Sequence, residues 1–174
     1  MKIKILLSIL LFNCLSFTFA QQTPSWDKWS WLIGEFQGEG SGQPGQGGGT
    51  FSFLFDLDKN ILVRKSHSEY PATKNKPLIV HNDLMIVYPD STGNPSKAIY
   101  FDNEGHTINY AITYQDKSIV LTSTKMTNVP VFRLTYTLLK DGMVKAKFEM
   151  SKDGEKFMNY IEGKSRKTLF KIGS

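Results

Sequence analysis

Phe51, Phe53, Phe55 and Leu57 occupy every second position of one short segment. On an extended strand such residues share a face, so this segment reads as a strand with one wholly apolar side. Just before it, Gly34, Gly38, Gly40 and Gly42 alternate with other residues, and a glycine-rich loop over 43–49 joins the two. A strand whose alternate positions lack a Cβ can coil tightly or let another backbone approach. Upstream, Trp26, Trp29 and Leu32 or Ile33 fall at helical spacing behind Ser25, a residue type that caps helices. So short a helical turn is unstable alone and must lean on something apolar. The stretch from Trp26 to Leu57 thus reads as a plug, a bending first strand, a flexible turn and a second strand.

The rest of the chain adds strands to that start. Period-two segments and turn signals predict strands over 35–42, 50–57, 61–70, 78–88, 96–101, 106–115, 118–125, 131–140, 143–152 and 156–165. A kink or bulge is expected in the fourth near His81-Asn82-Asp83. Asp141-Gly142 and Asp153-Gly154 are strong hairpin signals. About ten short strands joined by tight turns make a meander, and closure into a barrel removes its exposed edges. The fold class is all-β, a roughly ten-stranded antiparallel barrel with a short N-terminal helical plug. Polar-out, apolar-in alternation argues against an outer-membrane barrel. A closed barrel of this size can leave room inside for a small ligand.

The first residues stand apart from that pattern. Lys2 and Lys4 precede a mostly apolar run, and Thr18-Phe19-Ala20 puts small residues before polar Gln21-Gln22. This is the pattern of a secretory signal peptide, too short for a membrane span. The expected organisation is a signal peptide over 1–20 and one barrel domain over 21–174, exported to the periplasm or beyond. A lipid anchor through Cys14 is the lesser alternative. Cutting after Ala20 removes the one cysteine, so the mature core stands without disulfides. A domain of this length buries roughly 70% of the surface its unfolded chain exposes. The formal charge is +5 over 174 residues, and two of those charges leave with the leader. The remainder is scattered, which argues against a nucleic-acid partner.

Gly34-Glu35-Phe36-Gln37-Gly38-Glu39-Gly40-Ser41-Gly42 resembles the G-x-W-x-G-x-G-x-G opening of the nitrobindin-like branch of the calycin barrels. Trp31-Leu32-Ile33-Gly34 is similar to the segment through which that family enters its barrel, and the final strand ends in Arg166 as the family's does. The resemblance implies a lipocalin-like barrel and, for nitrobindins, a heme held by a histidine on the last strand. The matching place here is near Asn159, and no histidine lies after His106. Phe36 stands where the family has tryptophan. No cofactor is therefore expected.

Other chemistries find little support. No lysine follows Gly47-Gly48-Gly49 and a strand comes next, so this is not a phosphate-binding loop. A metal could be built from His81, Asp83 and His106 only if strands four and six approach each other, and one buried, hydrogen-bonded histidine with two exposed ones is the simpler reading. No G-x-S-x-G elbow is present. Arg64 shares a face with Leu62, Ser66 and Tyr70 and could hold a ligand carboxylate, whereas Arg133 falls on the polar side of its strand. The candidate interior ligand-binding set is Phe36, Phe53, Phe55, Arg64, His106, Tyr110, Tyr136, Phe148 and Asn159, with no catalytic and no metal residue assigned. The expected function is binding of a small hydrophobic or amphipathic molecule. The alternatives are a heme- or metal-dependent enzyme using His81 or His106, and a protein or glycan interaction module. A solid barrel without internal space would overturn the first.

Overall fold

The computed structural model describes residues 23–40, 49–74 and 77–168. The leader with Cys14 and most of the glycine loop lie outside the described residues. Ten strands form: β1 (Gly34–Glu39), β2 (Thr50–Asp56), β3 (Ile61–Tyr70), β4 (Ile79–Pro89), β5 (Pro95–Asp102), β6 (Thr107–Gln115), β7 (Ser118–Ser123), β8 (Val131–Leu138), β9 (Val144–Ser151) and β10 (Met158–Lys167). Each pairs antiparallel with its neighbours in sequence, and β10 returns to β1 to close the barrel. At the seam Phe36 lies opposite Lys167 and Gly38 opposite Ser165.

Alternation sorts the side chains, because directly opposed residues share a face of the sheet. One inward row runs Phe53, Arg64, Met85, Tyr100 and Ile108 across five strands. The next runs Phe55, Leu62, Val87, Ala98 and Tyr110. The irregularity in β4 falls at Tyr88 and Pro89, and the ladder passes 81–83 unbroken. Proline cannot donate to the ladder, so the slip occurs there.

One end of the barrel is closed. Asp27–Leu32 forms a six-residue 3₁₀ helix in place of the expected α-helical turn, with Trp29 and Leu32 buried. Ser25 does not cap it: Trp26 holds that position without a side-chain bond. Instead the backbone N–H of Ser25 donates to Gly93 across the barrel end (3.3 Å). The Trp29 indole N–H donates to the Tyr114 hydroxyl (2.9 Å). Its ring lies 5.7 Å from Phe53, which meets Tyr136 edge-on at 5.4 Å. Phe36 stacks on Phe51 at 4.8 Å. These aromatics fill the closed half as a solid core, with Trp29, Phe36, Phe53, Leu62, Met85 and Tyr136 at most 1% exposed.

Gly49 shows why the approach to β2 needs glycine. Its φ is +96°, and an added Cβ would lie 2.1 Å from the carbonyl oxygen of His67. The β2–β3 turn has no such provision. Leu57, Asp58 and Lys59 all have positive φ, at 47°, 53° and 66°. The turn is held by the Asn60 side chain donating to the Leu57 carbonyl (2.7 Å) and by the Trp26 indole donating to the Lys59 carbonyl (2.8 Å). Left-handed backbone costs a residue with a Cβ about 1–2 kcal/mol. Lys59→Gly keeps both carbonyl bonds and is expected to raise stability in urea by about 0.5–1 kcal/mol after glycine's entropy cost.

The β4–β5 turn depends on charge. The Asp90 carboxylate accepts from the Thr92 hydroxyl (2.6 Å), the Thr92 N–H (2.9 Å), the Ser96 hydroxyl (2.9 Å) and the Asn94 N–H (3.2 Å). Led by the two bonds from Thr92, these lower its pKa from 3.8 to about 2. A depressed carboxylate adds stability that is complete above its unfolded pKa and is lost as pH falls through its folded one. Acid titration of the fold should therefore show a loss between about pH 4 and 2, and Asp90→Asn should shrink the part of that loss due to this turn.

Candidate functional site

Leu62, Arg64 and Ser66 take the inward positions of β3, so a guanidinium is carried into the barrel. A charge there needs a partner. Asp83, inward on neighbouring β4, supplies it: an Arg64 amino nitrogen bonds its carboxylate, with the two side chains only 11% and 6% exposed. Burial opposes the guanidinium's charge, but Tyr136, Asp83, Tyr100 and Tyr110 outweigh it and the pKa of Arg64 rises. The pair leaves two polar groups over. Among the described residues, Arg64 Nε and the Tyr136 hydroxyl are buried without a hydrogen-bond partner. Each such group costs about 1–3 kcal/mol.

Phenols surround the guanidinium. Burial pushes the Tyr136 hydroxyl up to about 12, helped by Asp83 and opposed by Arg64. Burial likewise raises Tyr110, helped by Tyr136, and raises Tyr100, helped by Asp83 and Asp102. All three stay neutral near pH 7 and can donate protons to an acceptor. Arg64 and Asp83 cancel in charge, so the surplus here is of donors.

Above this floor the barrel opens. Phe132, Leu134, Ala146, Phe148 and Ile161 take inward positions on β8, β9 and β10, opposed in register, yet remain half-exposed. Phe132 stacks on Phe148 at 5.7 Å, and Phe148 meets Tyr160 edge-on at 6.1 Å. At the seam the inward residues Gly38 and Gly163 carry no side chain, which leaves the wall thin. A recess of about 290 Å³ lies at the outer side of the seam, lined by Glu39, Gly40, Glu162, Gly163 and Lys164, whose charged members take outward positions and are not part of the inner wall. A second, of about 320 Å³, lies at the closed end by Lys28, Trp31 and Tyr114. The upper half is thus a cup open to solvent, with an aromatic wall and a donor-rich floor, over a solid lower half. β3 and β4 continue past their neighbours at its mouth, Tyr70 opposite Ile79.

The residues singled out in the sequence divide by depth. Arg64, Tyr110 and Tyr136 form the floor and Phe148 part of the wall. Phe36, Phe53 and Phe55 point inward but belong to the core beneath, Phe55 lying against Trp26 at 5.6 Å. Asn159 is exposed on the outer face opposite Glu149. The ladder slips between Asn159 and Ile161, so the residues on either side of the bulge face opposite ways. His106 precedes β6, and its Nδ1 swings to Asp102 (2.8 Å), leaving the side chain 61% exposed. Burial favours protonation of Asp102, but bonds from His106 and Glu104 outweigh it and lower its pKa. His81 Nδ1 meets Glu104 (3.0 Å) and Nε2 meets the Tyr100 hydroxyl (3.1 Å). Asp83 is the partner that alternation alone does not assign to Arg64; opposite charges at inward positions of adjacent strands are the signal that marks the pair. Arg133 points outward as alternation requires, bonding Glu149 (2.8 Å) under Phe157.

Among the described residues no group of three or more His, Cys, Asp or Glu side chains is disposed to hold a metal ion. A heme ligand at the place of Asn159 does not fit either, since that side chain is an amide on the outer face. No helix among the described residues is long and apolar enough to cross a membrane. No family model matches the chain, and no curated protein matches it.

The floor can be tested as a unit. Removing one member of a buried ion pair strands the other and costs about 3–5 kcal/mol, whereas replacing both by apolar residues of similar size is often neutral. Arg64→Met should cost that much in urea unfolding, and Arg64→Met with Asp83→Leu should recover most of it. A double variant no more stable than the single would show that the two do not act together.

Proposed function

We propose that the chain is an exported, calycin-like binding protein whose cup takes a small amphipathic molecule. The acceptor end of the ligand, a carboxylate or similar oxygen group, points down to Arg64 Nε and the Tyr136 hydroxyl. Its apolar part lies along Phe132, Leu134, Phe148 and Ile161. The observation carrying this reading is the pair of unpartnered buried donors beneath an apolar, solvent-open wall. Such donors are costly alone and are satisfied by one acceptor group between them. Support for export comes from the leader-like first twenty residues, and support for the nitrobindin-like relation from the glycine-alternating opening.

The test is native mass spectrometry of the secreted protein with a visible spectrum of the same sample. A bound organic mass without heme absorption supports the reading, and a Soret band overturns it in favour of a heme protein. Tyr136→Phe separates binding from folding. It removes a hydroxyl that lies against the Arg64 guanidinium without a hydrogen bond of good geometry, so the unliganded protein should change in stability by less than about 1 kcal/mol. Affinity for the captured ligand should fall about tenfold, the loss of one hydrogen bond. A variant that unfolds more easily and binds unchanged would make Tyr136 a structural residue.

A further inference from the structure

The outer wall of the barrel is not uniform. On β8 and β9 the outward positions hold Arg133, Thr135, Thr137, Lys145 and Lys147, as a water-facing wall requires. On β2 to β5 polar outward residues, among them Ser52, Asp56, Lys65, Asn82 and Lys97, border an apolar stretch. Leu54, Val63, Ile86 and Ile99 lie opposite one another in a single outward row across four adjacent strands. Leu84 and Phe101 form a second apolar pair beside it. Leu54 is 43% exposed and Phe101 38%. Four strands at about 4.8 Å spacing and two same-face rows about 7 Å apart make a patch about 19 Å by 13 Å, or roughly 250 Å².

We infer that this wall is a self-association surface, occupied by the same wall of a second copy of the chain. The charges at its border carry the choice of occupant. Asp56 and Lys97 are exposed outward residues at the closed end, Asp56 on β2 and Lys97 on β5, at the two outer edges of the patch. A two-fold axis running between β3 and β4, along the strands, places β2 of one copy over β5 of the other. Asp56 then meets Lys97 of the second copy, and Lys97 meets its Asp56. Leu54 meets Ile99, and Val63 meets Ile86. An isologous contact requires such self-complementarity. Lys65 lies beside Leu84, where its stem can cover apolar surface while the ammonium reaches water at the border. With a polar margin one side chain deep the contact reaches roughly 650 Å² per copy, the size of a weak, reversible interface. The proposal is independent of the cup, which lies inside the barrel.

Sedimentation of the mature protein from micromolar to near-millimolar concentration tests it. A concentration-dependent dimer is expected, and a monomer throughout overturns the proposal. Ile86→Lys puts a charge at the centre of the row without entering the core. With an unchanged circular dichroism spectrum it should be monomeric, and a surviving dimer overturns this surface. The border pair tests the axis. Lys97→Asp and Asp56→Lys should each weaken self-association about tenfold, and an equimolar mixture of the two folded variants should recover dimers by pairing unlike copies. A mixture that stays as weak as its components overturns the two-fold arrangement.

Discussion

Closure of the sheet is the constraint on which the rest depends. β1 and β10 must meet, since either left open would present a row of unpaired amides and carbonyls. They meet with Phe36 opposite Lys167 and Gly38 opposite Ser165. Once the ring is closed, every inward position faces the same confined space and every side chain there must be packed, paired or wetted. The closed half takes the first course, with Trp29, Phe53 and Tyr136 in successive ring contacts. The middle takes the second, with Arg64 on Asp83. The open half takes the third.

That gradient along the barrel axis leaves Phe132, Leu134, Phe148 and Ile161 at inward positions yet partly exposed. Bare glycine at 38 and 163 thins the seam wall, and a buried ion pair sets a floor that cannot be covered by hydrocarbon without cost. The same pair leaves Arg64 Nε and the Tyr136 hydroxyl buried without a hydrogen-bond partner. Outside, a comparable contrast holds between the apolar wall of β2–β5 and the polar wall of β8 and β9. The period-two rule is obeyed on both, but on β2–β5 an apolar row interrupts the polar outward residues.

Particular residues show how far the chain could be read before its structure was in view. The alternation in β6 and β8 was plain, and Tyr110 and Tyr136 lie inside as it required. Strand boundaries fell within a few residues because Asp-Gly and Pro-rich turns mark them. Asn159 went astray because one bulged residue reverses the parity of a strand, and nothing in the local pattern announces it. His106 went astray because a turn carboxylate, Asp102, captured a side chain that alternation would have sent inward. Trp26, Trp29 and Leu32 have helical spacing, yet six residues tied to turns across the barrel end settle into the tighter 3₁₀ form.

The amino-acid sequence by itself determined the class of fold, the number of strands and the face of most side chains. Those follow from propensity and periodicity, which act over a few residues at a time. Tertiary structure decided the partner of Arg64, the two orphaned donors, the depth of the solid core and the apolar character of one outer wall. Each of these depends on register between strands far apart in the chain. Register is set by the whole closed ring, and no local segment contains it.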